Sequence, residues 1–436
     1  MGIYNLVSFC GIFIIMAFGW LFSPHKRTVN VRLIIGALFL QAVFALFIFR
    51  VPAGSRLFLG INAAVIKTLG AASAGSRFVF GRLALPPGAI GDAGEPSLGF
   101  FLAFQAFPTI VFFSALVSIL YYIGVLPWLI SRFAALFTRL FRISGAESLC
   151  AASNMFVGVE SALTVRPHLH GMTRSELCTV LTCGMATVAS NVLALYVFTL
   201  QEQFPTIAGH LISASIIAAP SALVMSKLVM PETGAPATLG RTVAPCYDRE
   251  KSFFDAVING ANTGVRVVVG IVALLLAVLG LVALADLATT ALGAFINSAA
   301  GLQVDWSLSG LAGAVFYPLT VVIGVPLEDA GLISRIIGER LIVTEVASYQ
   351  HLAAAIASGA IANPRSTVVA TYALCGFAHL ASLAIFIGGI AALVPERTAE
   401  LSRVGFRALL AATLACMLTA CVAGTFYTSG SILAAG

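Results

Sequence analysis

Charge is scarce in this chain. Asp, Glu, Lys and Arg supply 10% of its 436 residues, whereas 59% are hydrophobic. A soluble domain carries about 25% charged residues. A globule of this composition could not be covered in water, so the chain is read as a polytopic membrane protein with a mean hydropathy of +1.01. Acidic residues are the scarcer sign, 18 against 24 Lys and Arg, and the net charge of +6 comes from basic clusters between hydrophobic runs. Such clusters suit cytoplasmic loops beside anionic lipid. They do not suit a nucleic-acid face, and no nucleic-acid partner is expected.

Other absences narrow the field. The eight cysteines (Cys10, Cys150, Cys178, Cys183, Cys246, Cys375, Cys416 and Cys421) are scattered, mostly in apolar runs, and form no C-x-x-C pair. They read as small apolar residues, not as a disulfide or zinc framework. No His-Glu-x-x-His, paired Asp or Gly-x-Ser-x-Gly occurs, so an intramembrane enzyme has neither metal set nor nucleophile, and no organic cofactor is expected. The start, Met1 to Val7, lacks a basic signal-peptide region, and Leu6 stands where myristoylation needs Ser or Thr. The first apolar run is therefore expected to stay as a transmembrane helix.

Long apolar runs are abundant. A span needs about 20 residues, and eight stretches qualify: Ile3–Phe22, Leu33–Phe49, Gly99–Val125, Met172–Leu200, Ile207–Met230, Val265–Leu287, an interrupted Ser366–Val394, and Ala408–Tyr427. The loop holding His25, Lys26, Arg27 and Arg32 is cytoplasmic by the positive-inside rule, which places the N-terminus outside, and the basic turn Pro395–Arg407 before the last span leaves the C-terminus outside. Residues 51–82 carry Arg56, Lys67, Arg77 and Arg82, too basic for a span, and read as an interfacial helix. Four regions result: an N-terminal scaffold (1–140), a first repeat (141–230), a polar cytoplasmic linker with a scaffold helix (231–309), and a second repeat (310–436).

The repeat carries the functional argument. In the first copy, Asn154 and Glu160 sit in a short, broken apolar segment, followed by a span interrupted at Gly184 to Asn191. In the second, Glu345 sits in a similar segment, followed by a span interrupted at Cys375 to Ser382. A carboxylate at membrane depth costs roughly 2.5–3.5 kcal/mol even on insertion scales, so it faces a cavity or a partner. Matching short or broken segments in two halves point to a secondary transporter whose site lies where the repeats meet. The plainer alternatives are two kinked helices packed through Gly and Ser, Glu160 bridged to Arg166, Glu345 bridged to Arg340 or His351, and His379 as a packing residue. A binding or gate module without transport is the remaining class.

Gly145-Ala146-Glu147-Ser148, then Asn154-Met155-Phe156-Val157-Gly158, Val165-Arg166-Pro167 and Met172 to Leu177 resemble the first hairpin and following helix of concentrative nucleoside transporters. Thr371 to Ala378 and Ala392 to Arg397 are similar to that family's late broken helix and its end. The similarity runs from about Ala103 to Gly424. It implies an all-α fold of about eight transmembrane helices with two re-entrant hairpins and two discontinuous helices in inverted repeats, assembled as a homotrimer in the lipid of the inner or plasma membrane. It also implies cation-coupled nucleoside symport by alternating access, driven by sodium or protons.

Residue by residue, the resemblance assigns Gly158 and Glu160 to the first substrate-binding hairpin, although the tip, Gly158-Val159-Glu160, is one residue short and lacks the family's Gln-Thr pair. Val192 falls at an apolar substrate contact. Glu345 falls at the ribose-hydroxyl acceptor, with Thr344 replacing an Asn. Phe377 and Ser382 match the late broken helix, where His379 replaces another Asn and is expected to donate to a substrate oxygen or to take up the coupling proton. Asn154, Val157, Thr187 and Val188 fall at a sodium site, with Thr187 supplying a hydroxyl where the family has Ser. Because the Gln-Thr pair and the Asn are absent, nucleobases or another small polar metabolite are the alternative substrates.

Overall fold

The protein is described by a computed structural model over residues 2–91, 94–158, 160–247, 249–301 and 303–428. Val159 of the hairpin tip and the C-terminal end, expected outside the membrane, lie beyond the described residues. Their regular secondary structure is helical apart from two isolated β-bridges. The N-terminal part comprises α1 (Ile3–Leu21), α2 (Val31–Phe49), α3 (Pro52–Phe80), the one-turn α4 (Leu102–Gln105), α5 (Phe107–Tyr122) and α6 (Val125–Phe141). Next come α7 (Gly145–Asn154), the short α8 (Ser161–Thr164) and α9 (Arg166–Leu169), then α10 (Arg174–Ala186), α11 (Ser190–Leu200) and α12 (Ile207–Val229). Beyond the linker come α13 (Phe253–Ala300), α14 (Leu308–Val322), α15 (Leu327–Ile342), α16 (Glu345–Ala357), α17 (Pro364–Leu374), α18 (Leu380–Leu393) and α19 (Thr398–Phe426).

Eight helical segments among the described residues are long and apolar enough to cross a membrane. They are not quite the eight expected. The segment Pro52–Ala84 qualifies, because its exposed Arg56, Lys67 and Arg77 are spaced widely enough to leave an apolar window. Composition alone does not exclude it as a span. The late broken helix does not qualify, since α17 and α18 hold 11 and 14 residues. The expected span Val265–Leu287 is part of α13, which runs unbroken for 48 residues. Ser252 starts that helix by accepting from the Asp255 N–H, and Gly301, at φ +64°, ends it. At 1.5 Å per residue it is about 72 Å long.

Local sequence explains the breaks. Thr173 and Glu176 exchange hydrogen bonds with each other's backbone and start α10, a capping box. Thr344 caps α16 and Asn363 caps α17. The two broken helices meet through glycine. A Cβ at Gly184 would lie 2.2 Å from Phe386 Cε1, and one at Gly376 would lie 2.7 Å from the Met185 carbonyl. Any side chain there would force the pieces apart.

The core gathers around α19, which packs on α1, α10, α12 and α17, while α13 packs on α5. Helices distant in sequence interleave: α10 touches both α7 and α18, and α11 touches α16. Two buried cations pin this block. Lys227 Nζ lies 2.5 Å from Glu147 and 3.3 Å from Glu232, joining α12 to the first hairpin and the linker. The Arg365 guanidinium donates to the carbonyls of Gly324, Tyr4 and Gly424 and to Ser8 Oγ at 2.7–2.9 Å, tying α17 to α1 and α19.

Candidate substrate and cation site

The first hairpin turns back just after α7. At its tip Gly158 lets the backbone approach the first helix break, where a Cβ would lie 2.8 Å from Ala189 Cβ. Ser190 Oγ donates to the Phe156 carbonyl, joining α11 to the same tip. Glu160 follows, and no ion pair joins it to Arg166 or to any other described residue. The bridge weighed for it from sequence does not form.

The second hairpin presents Glu345 in the first turn of α16. Neither of its neighbours in sequence is its partner. Arg340 donates to the Ala373 carbonyl, and His351 pairs with Glu339 at 2.6 Å. Instead Glu345 Oε1 accepts from the Tyr196 hydroxyl at 2.7 Å, and Oε2 lies 2.8 Å from His379 Nε2. That second contact is close without the alignment of a hydrogen bond, so the buried Oε2 keeps its acceptor capacity.

His379 caps α18, its Nδ1 accepting from the Ser382 N–H at 3.1 Å. A neutral ring that accepts at Nδ1 carries its proton on Nε2, here facing Glu345. Nε2 thus stands beside Glu345 at the cavity that both residues line. Ser382 Oγ donates to the His379 carbonyl at 2.7 Å and accepts from the His379 N–H at 3.3 Å. Phe377 is half-buried beside them.

All seven residues assigned to substrate, Gly158, Glu160, Val192, Glu345, Phe377, His379 and Ser382, line one cavity of about 660 Å³. Its opposite wall is α13, from Thr263 to Ala277. Three lining or supporting residues escaped the sequence reading. Tyr196 offered no local signal. Asn191 lay inside the noted interruption but was not singled out; its Oδ1 is buried without a partner. Arg266 did carry a signal, as a cation in an apolar helix.

Among the described residues no three His, Cys, Asp or Glu side chains cluster as metal ligands. The residues assigned to a cation from sequence offer neutral oxygens instead. Asn154 Nδ2 donates to the Cys150 carbonyl at 3.0 Å, which leaves Asn154 Oδ1 buried and unpartnered. Thr187 Oγ1 donates to the Cys183 carbonyl at 2.9 Å and keeps its acceptor side. Thr187 and Val188 stand in the break where α10 stops, so their carbonyls are released from the helix. Such oxygens fit a hard monovalent ion.

Family models match nearly the whole chain: "Na+ dependent nucleoside transporter N-terminus" over residues 10–83, "Nucleoside recognition" over 103–203, and "Na+ dependent nucleoside transporter C-terminus" over 210–424. The nucleoside permease NupC of Helicobacter pylori is 32% identical, with 97% of this chain and 98% of the permease covered. The chain belongs to the concentrative nucleoside transporter family. Solute carrier family 28 member 3 of Mus musculus is 34% identical over 97% of the chain, which spans 59% of that longer protein. The structure of CNTnw in an inward-facing substrate-bound state matches with a TM-score of 0.85 and 31% identity, covering 97% of this chain and 98% of CNTnw. An outward-facing CNTnw variant also gives a TM-score of 0.85. The all-α, multi-pass fold of this family, expected from sequence, is thus the fold observed, and the family's members are transporters of the cell membrane rather than enzymes.

Proposed function

We propose that this chain is a sodium-coupled nucleoside symporter that works by alternating access. The observation that carries the reading is the convergence of two hairpin tips and two helix breaks on one cavity holding two carboxylates. An ionised carboxylate only accepts, and the hydroxyls of a sugar and the N–H groups of a base donate. Glu345 Oε2 takes a ribose hydroxyl, held in place by Tyr196 on the other oxygen and by His379 at its side. Glu160 takes a second donor. Phe377 offers a ring face, and Val192 an apolar contact.

Sodium enters as the driving cargo. Asn154 and Val157 on the first hairpin, with Thr187 and Val188 at the first break, would hold it. An ion shared by those two elements fastens the hairpin to α10, and with it the Gly158–Glu160 tip. Binding of ion and substrate therefore favour one another. One cation moving down about 100 mV supplies roughly 2.3 kcal/mol, enough for accumulation on the order of tens-fold. A second copy is the expected partner. No residue in the central stretch of α13 is fully buried within the chain, which leaves a face for lipid or for the neighbours of a homotrimer.

The test is uptake of labelled uridine and adenosine into proteoliposomes. Counterflow and uptake driven by an inward sodium gradient are expected. The symport reading fails if counterflow is absent, and its sodium part fails if uptake is unchanged with choline in place of sodium at fixed pH.

A further inference from the structure

A second chamber, of about 320 Å³, adjoins the substrate cavity and shares Gly158, Glu160, Asn191 and Thr263 with it. Its far wall comes from Tyr121 and Tyr122 on α5 and from the linker residues Cys246, Tyr247, Arg249 and Glu250. The linker is fastened there. The Cys246 N–H donates to the Thr164 carbonyl at 2.9 Å, Arg249 lies 5.9 Å from the Tyr122 ring centre, and Glu250 accepts from Asn259 at 2.9 Å. One backbone hydrogen bond, one cation–ring contact and one side-chain hydrogen bond thus hold Cys246, Arg249 and Glu250 in the wall.

We propose that this chamber is a second binding station for the nucleoside, reached from the first past Glu160 and Asn191. The inference rests on the reading of the chain as a nucleoside transporter and goes beyond it. Three features support it. First, the chamber has aromatic faces to offer a base: the Tyr121 and Tyr247 rings stand 6.1 Å apart at 60°, and Tyr247 is 40% exposed. Stacking of a base on one such ring is sequence-tolerant. Second, the lining is balanced in charge, Arg166 and Arg249 against Glu160 and Glu250, which suits a neutral ligand and disfavours a nucleotide. Third, the neck carries unfilled polar groups. Asn191 Oδ1 is buried without a partner, and its carboxamide offers both a donor and an acceptor to any base edge. A nucleoside leaving the cavity can keep a hydrogen bond to Asn191 or Glu160 while its base reaches the tyrosines.

The experiment is equilibrium dialysis of labelled uridine against the purified full chain in detergent with sodium. Two uridines per chain are expected, the second bound about tenfold or more weakly. Tyr247→Ala should leave one uridine per chain with the tighter affinity retained, which also shows that the variant is folded. Tyr247→Trp should restore two. Glu345→Gln should weaken the tighter class and spare the weaker one. One uridine per chain in the parent overturns the second station and leaves the transport reading standing, as do two unchanged classes in Tyr247→Ala. Displacement of the weaker uridine by uridine 5′-monophosphate also overturns it, since the chamber is then an anion site. Absence of any uridine binding overturns both readings together.

Discussion

At the residue scale the site turns on Glu345. Its two oxygens are set by groups from two other elements, Tyr196 on α11 and His379 at the start of α18. Hydrogen bonds to charged groups contribute about 1.5–3 kcal/mol, so Glu345→Gln should lower uridine kcat/KM roughly 10- to 100-fold. Discrimination between uridine and its dideoxyribose analogue should shrink with it; retained discrimination would remove Glu345 from the ribose. His379 caps α18 through Nδ1. An Asn side chain can accept the same bond whereas Leu cannot, so His379→Leu should lower uridine uptake more than His379→Asn; equal uptake in the two variants would separate the cap from transport.

At the scale of elements, the two hairpins and two broken helices were legible in the chain because each break leaves a polar or glycine-rich mark inside an apolar run. Glu160, Glu345 and the stretch from Cys375 to Ser382 are such marks. Partnerships were not legible. Tyr196 and Glu345 are 149 positions apart, and nothing local to Tyr196 distinguishes it from a packing tyrosine, whereas Arg340 and His351 are near Glu345 in sequence and point elsewhere in space. The extent of α13 was hidden for a different reason. A hydropathy window reports its most apolar part and is blind to helix that continues through Asn262 and Asn297. The pinning of elements makes its own prediction. Lys227→Met leaves Glu147 buried without its cation, and breaking a buried pair in this way costs about 3–5 kcal/mol. A lowered unfolding temperature in detergent is expected, and an unchanged one would mean that water replaces the lysine.

At the scale of the molecule, α13 exposes Leu276, Leu281, Leu284 and Phe295 at 64–73% of their surface. If copies meet along this helix, native mass spectrometry in a mild detergent should record trimers, and Leu276→Arg with Leu284→Arg should yield monomers. Trimers surviving that change would place the contact elsewhere. The length of α13 has a further consequence. A rod of about 72 Å cannot stand upright in a hydrocarbon layer of about 30 Å without projecting well into water, so its inclination answers to the thickness of the layer. The same rod supplies the wall of the substrate cavity from Thr263 to Ala277. Thickening or thinning the bilayer should therefore re-aim that wall. In vesicles built from lipids of increasing acyl-chain length, uridine uptake should pass through an optimum, making the membrane itself a regulator of the transport rate through hydrophobic mismatch.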